Sequence, residues 1–380
     1  MQVRMDGEGY EMAETHARRR AELARRLVDD KLDAALVTSL VNVRYLTGLD
    51  SSNAALLLAS DGSAVLATDS RYSTAAKAVA EDVELMVERG VATSLATRAA
   101  KAGGSLRLGV EEQAVTLELW ESMRAALDAE AGAVETVHLG RAVEQLRAVK
   151  DEDELGLLAQ ACAISCRALE DLWAAGGFAG RTEKEIARDL EWRMFGHGAD
   201  AVAFETIVAT GPNSAVPHHR PTERVVERGD LLKIDFGAAY RGYHADCTRT
   251  SVVGAEPQDW QREIYDLVAA AQQAGVDAVA VGAGCMSVDH ASRAIIDDAG
   301  YKENFGHGTG HGVGLEVHEA PTLGYSAAGT LADRMAVTVE PGIYLPGRGG
   351  VRIEDTLAVR ASGASELFTP TTKDLLILDA

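Results

Sequence analysis

The stretch LLKIDFGAAYRGYHADCTRT, residues 231–250, contains two short strands separated by a tight turn at Arg241 and Gly242. If these two residues form the whole loop, the strand register places Asp235 diagonally across from Asp246. Side chains alternate between the two faces of a strand, so both carboxylates lie on the same face. Backbones of such diagonal neighbours are about 7–8 Å apart, and the carboxylates can come closer. The stretch therefore predicts a hairpin that carries two carboxylates on one face.

A second hairpin is predicted for MAVTVEPGIYLPGRGGVRIEDTLAV, residues 335–359. A loop of odd length centred on Gly347 sets Glu340 directly opposite Glu354. A bulge at Pro341-Gly342 would shift that register, so the pairing is a hypothesis. Glu340 ends the apolar run AVTVE, which indicates that its carboxylate points inward.

Between the hairpins runs NFGHGTGHGVGLEVHEAP, residues 304–321, whose glycines allow close backbone approach and whose His311 offers an imidazole nitrogen. Four carboxylates on one buried face would repel one another by roughly several kcal/mol unless positive charge lies among them. One histidine with four carboxylates suits Mn²⁺, Co²⁺ or Fe²⁺ better than a structural zinc site, which prefers sulfur and nitrogen. The pattern therefore predicts a hydrolytic centre of two divalent cations. Its candidate ligands are Asp235, Asp246, His311, Glu340 and Glu354.

Four segments resemble the motifs of one known family: DFGAAYRGYHADCTRT, GHGTGHGVGLEVHE, EPGIYLPGRGGVRIED and TGPNSAVPHHRP. They are similar to motifs of the pita-bread metallopeptidases, and specifically of the Xaa-Pro branch that contains aminopeptidase P and prolidase. The resemblance is close from about residue 150 to 375 and loose before that. It implies an α/β N-terminal creatinase-like domain over residues 1–148 and an α+β pita-bread (creatinase/aminopeptidase) catalytic domain over residues 149–380.

The resemblance also implies an activity and a role for each ligand. The activity is hydrolysis of the Xaa-Pro bond, at the N-terminus of peptides or in dipeptides, by a metal-bridging hydroxide. Asp246 and Glu354 would bridge two cations, Asp235 would complete one of them, and His311 and Glu340 would complete the other. Glu340 would double as a proton acceptor. Mn²⁺ is the expected metal, with Co²⁺, Fe²⁺ or Zn²⁺ as alternatives.

Further residues gain roles by the same resemblance. His218 would hydrogen-bond the scissile carbonyl, His318 would act near the leaving group, and both are predicted to be catalytic. His307 and Arg352 are predicted to bind substrate, and Arg352 could also tune the ligand network. His219 is interpreted as a polar core residue. The remaining candidates are Phe204, Val313 and Tyr344 for an apolar slot that accepts the proline ring, and Asp50 and Arg71 for the substrate ends.

Before residue 149, helical stretches alternate with short apolar segments, which is typical of a compact α/β domain. Its first helical pattern covers residues 16–33. The short apolar segments that follow are residues 34–39, 43–49, 54–60 and 64–69. Acidic residues at 151–153 then favour the start of a long helix, because they complement the helix dipole. Thr182 and Glu185 offer a capping box for the next helix.

The chain has 380 residues, of which 47% are apolar, and its 37 basic and 58 acidic residues give a formal charge of -21. This length is sufficient for two domains. The acidic balance argues against nucleic acid or an anionic membrane as the main partner. Residues 1–20 lack the apolar core of a signal peptide, and no apolar run approaches the ~18 residues of a membrane span. We therefore expect a cytoplasmic protein that acts on proline-containing peptides, and the resemblance implies a homodimer.

Three alternatives differ in chemistry. A methionine aminopeptidase-like hydrolase would use the same five ligands, but the α/β N-terminal domain and the segment Pro217-His218-His219-Arg220-Pro221 favour the proline-directed branch. A creatinase-like hydrolase of guanidino compounds shares the two-domain layout and lacks the full ligand set. A non-enzymatic pita-bread protein-binding module would also be expected to have lost ligands.

Overall fold

The computed structural model describes residues 8–102, 104–130 and 132–380. These residues form two compact units that meet between Arg147 and Ala148. The prediction about a signal peptide concerns residues 1–20, the first seven of which lie outside the described residues. None of the described helices combines the length and the apolar composition that crossing a membrane requires.

The first unit is built on one six-stranded mixed sheet with the strand order β4-β3-β2-β1-β5-β6. Its strands are β1 (Ala34–Val37), β2 (Ala54–Ala59), β3 (Ala64–Thr68), β4 (Glu84–Val87), β5 (Ser105–Val110) and β6 (Ala133–His138). Its helices are α1 (Glu8–Asp29), α2 (Leu40–Thr47), α3 (Ser73–Val79), α4 (Val91–Lys101), α5 (Leu117–Asp128) and α6 (Ala142–Ala148). Apolar side chains of α4 and α5 pack on the sheet and form the core.

The apolar segment at residues 43–49 lies in a helix, whereas the other three short apolar segments contain strands β1, β2 and β3. Helix α2 ends at Gly48, whose φ of 79° is the left-handed conformation that terminates helices. Two arginines of α1 donate hydrogen bonds to its last carbonyls, from Arg19 to Tyr45 and from Arg20 to Leu46. These tertiary contacts stabilise a helix where the run of apolar residues alone is ambiguous.

The second unit contains four helices and fourteen short strands in its described part, residues 148–380. The helices are α7 (Glu152–Ala175), α8 (Glu183–Gly196), α9 (Asp259–Ala278) and α10 (Cys285–Asp298). The first seven strands are β7 (Ala201–Val202), β8 (Ile207–Thr210), β9 (Leu231–Phe236), β10 (Ala238–Tyr240), β11 (Tyr243–His244), β12 (Cys247–Val253) and β13 (Gly310–Gly312). The others are β14 (Glu319–Leu323), β15 (Ala336–Val339), β16 (Gly342–Leu345), β17 (Gly349–Arg352), β18 (Asp355–Ala358), β19 (Glu366–Leu367) and β20 (Ile377–Leu378).

Helices α7 and α8 begin where the acidic residues predict. Asp151 caps α7 and Thr182 caps α8, each in a capping box with the residue three positions on. The two helices pack their apolar faces on strands β8, β9 and β12, and helix α9 packs on β16 and β17. The helices thus lie on sheets whose hairpins carry the acidic side chains.

The first acidic hairpin has the predicted register. Tyr240 pairs with Tyr243 across a two-residue loop, and both loop residues have positive φ, as a type I′ turn requires. The same register continues in the next sheet, where Asp235 pairs with Thr248. Asp246, two residues before Thr248, is therefore the diagonal neighbour of Asp235. The hairpin differs from a simple ribbon because its outer and inner halves belong to two sheets, β11-β10-β7 and β20-β12-β9-β8.

The second acidic hairpin is also divided between two sheets. Strands β16 and β17 pair Gly342 with Arg352, and strands β15 and β18 pair Val339 with Asp355. One register satisfies both pairs, so no bulge shifts it and Glu340 faces Glu354 as predicted. Both glutamates lie in the gap between the two sheets, where their amides donate to the carbonyls of Thr309 and Thr248.

Candidate metal centre

A cavity of about 260 Å³ in the second unit brings most of the predicted site residues together. The predicted residues among those that line it are Phe204, His218, His219, Asp235, Asp246, His311, His318 and Glu340. Glu354 lies just beneath, since its carboxylate is grouped with those of Asp235 and Asp246. All five candidate ligands therefore converge on one place.

Three carboxylates form the buried side of the site. Asp235, Asp246 and Glu354 are each less than a tenth exposed, and they offer oxygens that lie within 4.8 Å of one another. Burial raises the pKa of Asp246 well above its usual range, and the charges of Glu354 and Asp235 raise it further. The pKa of Glu354 is likewise raised by burial and by the charge of Glu340.

His311 and Glu340 form the opposite side of the site. The Nε2 atom of His311 lies 3.3 Å from Glu340 Oε1 and 3.6 Å from Asp246 Oδ2. Burial alone would raise the pKa of Glu340, but the hydrogen bond and charge of His311 outweigh it and lower the pKa to about 2. Glycine on each side of His311 lets strand β13 approach its neighbours, because an added Cβ on Gly310 would lie 2.0 Å from the Thr338 carbonyl oxygen.

Arg352 is the cation next to this cluster. Its guanidinium donates to Asp235 Oδ2, and to Thr248 Oγ1 at 3.1 Å. It also donates to the Tyr344 hydroxyl at 2.9 Å and lies 3.8 Å from Glu340 Oε2. Among the four carboxylates, Arg352 thus hydrogen-bonds Asp235 and lies near Glu340.

Two carboxylate oxygens of the site are suited to bind divalent cations. Asp235 Oδ1 and Glu354 Oε1 are buried and accept no hydrogen bond within the described part of the chain. Buried carboxylate oxygens without a partner are costly, and a bound cation would satisfy both. The donor set of carboxylates and one imidazole is the kind that Mn²⁺, Fe²⁺ and Co²⁺ accept.

The predicted catalytic histidines lie at the cavity, but in different surroundings. The ring of His318 contacts that of His311 edge to face at 4.3 Å, and one of its nitrogens can join a ligand group with Asp246 and His311. His218 lines the cavity as an exposed side chain. His219 also lines the cavity, and its ring hydrogen-bonds the buried Glu183 carboxylate at 2.8 Å.

Other predicted contacts lie away from the cavity wall. His307 bonds the Tyr344 hydroxyl at 2.9 Å, and burial lowers its pKa. Tyr344 and Val313 are buried in the core, so Phe204 is the slot candidate that lines the cavity. In the first unit, Asp50 pairs with Arg44 at 2.9 Å, and Arg71 pairs with Asp69.

Sequence reasoning missed three residues that hold this site. Thr248 donates to Glu354 Oε2 at 2.7 Å, and it follows Asp246 by two positions on the same face of the hairpin. Lys233 is a buried cation two residues before Asp235, and Glu183 is a buried carboxylate within the capping motif of α8. A charged residue inside the apolar strand LLKIDF was the available signal for Lys233, because a buried charge needs partners.

Comparison with known proteins agrees with this architecture. The model of metallopeptidase family M24 matches residues 156–361, and the creatinase/prolidase N-terminal domain matches residues 19–149. The chain is 38% identical to an uncharacterized peptidase, YqhT, of Bacillus subtilis, over 91% of this chain and 96% of the relative.

Two solved structures share the whole fold. The Xaa-Pro dipeptidase from Bacillus anthracis has a TM-score of 0.88 at 36% identity and covers 95% of this chain and 100% of its own. The X-Pro aminopeptidase from Thermotoga maritima has a TM-score of 0.85 at 34% identity and covers 94% and 99%. They confirm the predicted class, an α/β N-terminal domain followed by an α+β pita-bread domain. The chain therefore belongs to metallopeptidase family M24 and carries the creatinase/prolidase N-terminal domain.

Proposed function

We propose that this protein is a metal-dependent exopeptidase that hydrolyses the Xaa-Pro bond at the N-terminus of peptides or in dipeptides. One observation carries the proposal: four carboxylates and one imidazole converge on a cavity, and two of their buried oxygens accept no hydrogen bond from any residue that the structure describes. The names of the similar structures, an Xaa-Pro dipeptidase and an X-Pro aminopeptidase, support the substrate class.

Two divalent cations, with Mn²⁺ proposed first, are the cofactors that this ligand set fits. Asp246 and Glu354 would hold both cations, Asp235 would complete one, and His311 with Glu340 would complete the other. The grouping of Asp235 with Asp246 and Glu354, and of His311 with Glu340 and Glu354, supports this assignment. Bound there, the cations would polarise the scissile carbonyl and lower the pKa of the attacking water toward ~7.

The protein's own groups then orient the substrate and move protons. Glu340 is ionised and held by His311, so it can accept a proton at its carboxylate during attack. His218 and His318 line the same cavity and can donate to the scissile carbonyl and near the leaving nitrogen. Arg352 fixes Asp235 and Tyr344, and its proposed contact with substrate would run through this buried end of the site.

Proline at the second position sets the shape of the substrate. An Xaa-Pro bond is a tertiary amide whose nitrogen has no hydrogen, and the ring imposes a bend. The cavity offers Phe204 and Ile207 as apolar surface for that ring beside the ligands.

The deciding experiment measures hydrolysis of Ala-Pro, Ala-Pro-Ala and Met-Ala by mass spectrometry, with Mn²⁺ and with a chelator. We expect Mn²⁺-dependent cleavage of at least one proline substrate and no cleavage of Met-Ala. Cleavage of Met-Ala alone would indicate a methionine aminopeptidase, and no bound metal with no hydrolysis would indicate a binding module. Sedimentation of the same protein tests the proposed homodimer.

A further inference from the structure

The loop that carries His218 is held by buried charged or polar side chains from outside the loop. The segment of residues 216–222 lies outside strands and helices, between a 3₁₀ turn, Gly211–Ala215, and strand β9. Within the described part of the chain, no hydrogen bond holds the imidazole of His218. The position of this ring over the cavity therefore depends on how the backbone around it is held.

Lys233 holds the backbone immediately before His218. Its Nζ atom donates to the carbonyl oxygen of Val216 at 2.7 Å and contacts that of Pro217 at 3.3 Å. The ammonium also lies 5.0 Å from the centroid of the Tyr344 ring. Lys233 is fully buried, and it shares a strand face with Asp235 because the two are separated by two positions on β9.

The Pro217 carbonyl accepts a second hydrogen bond, from the arginine beside the candidate ligands. Arg352 Nη1 donates to it at 3.1 Å, while the same guanidinium binds Asp235 and Tyr344. The backbone before His218 is thus attached to strand β9, which carries Asp235, and to Arg352, which lies two positions before Glu354. A displacement of this attachment would move the imidazole relative to the ligands.

Glu183 holds the loop on the other side of His218. Its fully buried carboxylate accepts hydrogen bonds from His219 Nε2 at 2.8 Å and from the amide and hydroxyl of Thr222 at 2.9 and 2.7 Å. It also accepts from the Thr210 amide at 2.8 Å and from Asn213 at 3.0 Å. Glu183 therefore fixes the chain just before the loop and the end of the loop, and Lys233 fixes the start of the loop.

Burial of the Lys233 amino group is costly, and an apolar side chain would fill the same place in strand β9 without that cost. We propose that Lys233 is a positioning residue that places the His218 imidazole at the metal centre by holding the carbonyls of Val216 and Pro217. The inference rests on the proposed function of His218 in catalysis. Lys233 is not one of the residues that line the cavity, and among the described residues it does not hydrogen-bond Asp235 Oδ1 or Glu354 Oε1.

A double-mutant cycle with His218 tests this inference. Lys233→Met keeps a long side chain and removes the donors, and we expect it to lower kcat on the cleaved proline dipeptide about 10- to 100-fold, with bound metal unchanged. In a His218→Ala background the same change should alter kcat by less than about twofold, because its effect runs through the missing imidazole. Lys233→Gln keeps an N–H donor and should recover part of the activity.

The matched control is Lys150→Met, which removes another fully buried ammonium, one paired with Glu319 at 2.8 Å. In the double variant, the fold-reductions in kcat caused by Lys150→Met and by His218→Ala should multiply. Equal effects of Lys233→Met with and without His218 would overturn the inference, and so would loss of metal from Lys233→Met. If Lys233→Met does not fold, Lys233→Gln carries the same cycle.

A second measurement does not depend on activity. In metal-free protein with labelled histidines, Lys233→Met should shift or broaden the Hε1 resonance of His218, assigned with His218→Ala. The exposed His290 on α10 is the internal reference and should not change. An unchanged His218 resonance would refute the inference. Absence of peptidase activity in the wild type would refute the proposed function and leave this measurement decisive for Lys233.

Discussion

Glu340 differs from the carboxylates opposite it in one respect that matters for chemistry. Burial favours the neutral acid for Asp246 and Glu354 and raises the pKa of each, whereas His311 keeps Glu340 ionised. The site thus holds one carboxylate whose pKa is lowered and two whose pKa values are raised, and a bound cation would favour the charged form of those two. Groups with such divergent pKa values are the ones expected to differ in proton transfer.

Replacing Glu340 should therefore remove both a ligand and a base. We expect Glu340→Gln to lower kcat more than about 100-fold, beyond the usual effect of a residue that only supports a ligand. Calorimetric titration with Mn²⁺ should show weaker binding, while the thermal transition of the metal-free protein should persist. Glu303→Gln, an exposed acidic residue, is the control. Normal Mn²⁺ binding and turnover by Glu340→Gln would refute its role.

Glu183 gives a pH-dependent prediction. Burial alone would raise its pKa, but hydrogen bonds from His219, Thr222, Asn213 and Thr210 lower it to about 2. Because the folded pKa lies below the ordinary value of 4.5, the stabilisation is present above about pH 4.5 and is lost as pH falls toward about 2. At ~1.4 kcal/mol per pH unit, the contribution is of the order of 3 kcal/mol.

Chemical denaturation from pH 3 to pH 7 measures this contribution. Glu183→Gln should lower the free energy of unfolding most near pH 7, and the difference from wild type should shrink toward pH 3. Glu223→Gln is the control, since its pair with Lys184 is exposed and contributes little. A difference that stays constant with pH would show that the ionised carboxylate is not what stabilises the loop.

At the scale of elements, the two acidic hairpins were predictable because short loops fix strand register. A two-residue turn at Arg241-Gly242 permits one strand register. A loop centred on Gly347 permits one register and, with a bulge, one alternative. The site's ligands follow from these registers.

The supports of the site were not predictable in the same way. Lys233 reaches a carbonyl 17 positions earlier, and Glu183 reaches a histidine 36 positions later. Such contacts depend on how separate strands and loops pack, which no local pattern specifies. Helix α2 illustrates the same limit, because contacts from α1 help decide its conformation.

The glycine-rich segment around His311 packs closely against its neighbouring strand. A Cβ on Gly310 would lie 2.0 Å from a backbone oxygen, so strand β13 must shift to accept it. Overpacking of this kind costs about 1–3 kcal/mol, and the shift would also move His311. We expect Gly310→Ala to lower the free energy of unfolding by that amount and to weaken Mn²⁺ binding.

Gly306→Ala is the matched control in the same segment, because nothing lies within 4 Å of its added Cβ. Its stability and metal affinity should stay close to wild type. Equal effects of the two substitutions would mean that the glycines serve flexibility of the loop and not close approach at His311.

At the scale of the whole molecule, the candidate metal ligands are confined to one of two units. All five candidate ligands and the residues that support them belong to residues 148–380, while the six-stranded sheet belongs to the other unit. A cation that binds the folded second unit stabilises that unit by mass action, by ~2.7 kcal/mol when its concentration is 100 times the dissociation constant.

Metal removal should therefore act on the two units unequally, and hydrogen exchange measured by mass spectrometry can separate them. With a chelator, we expect protection to fall in residues 231–253 and 336–358 and to stay unchanged in strands β1 and β5.

The same experiment has a pH dependence. The folded pKa values of Asp246 and Glu354 are raised, so in metal-free protein their contribution to the stability of the second unit is largest below the unfolded pKa of about 4 and falls as pH rises. Mn²⁺ must displace those protons, so the protection that it adds should grow from pH 5 to pH 7. Uniform loss of protection in both units would contradict a site confined to one of them.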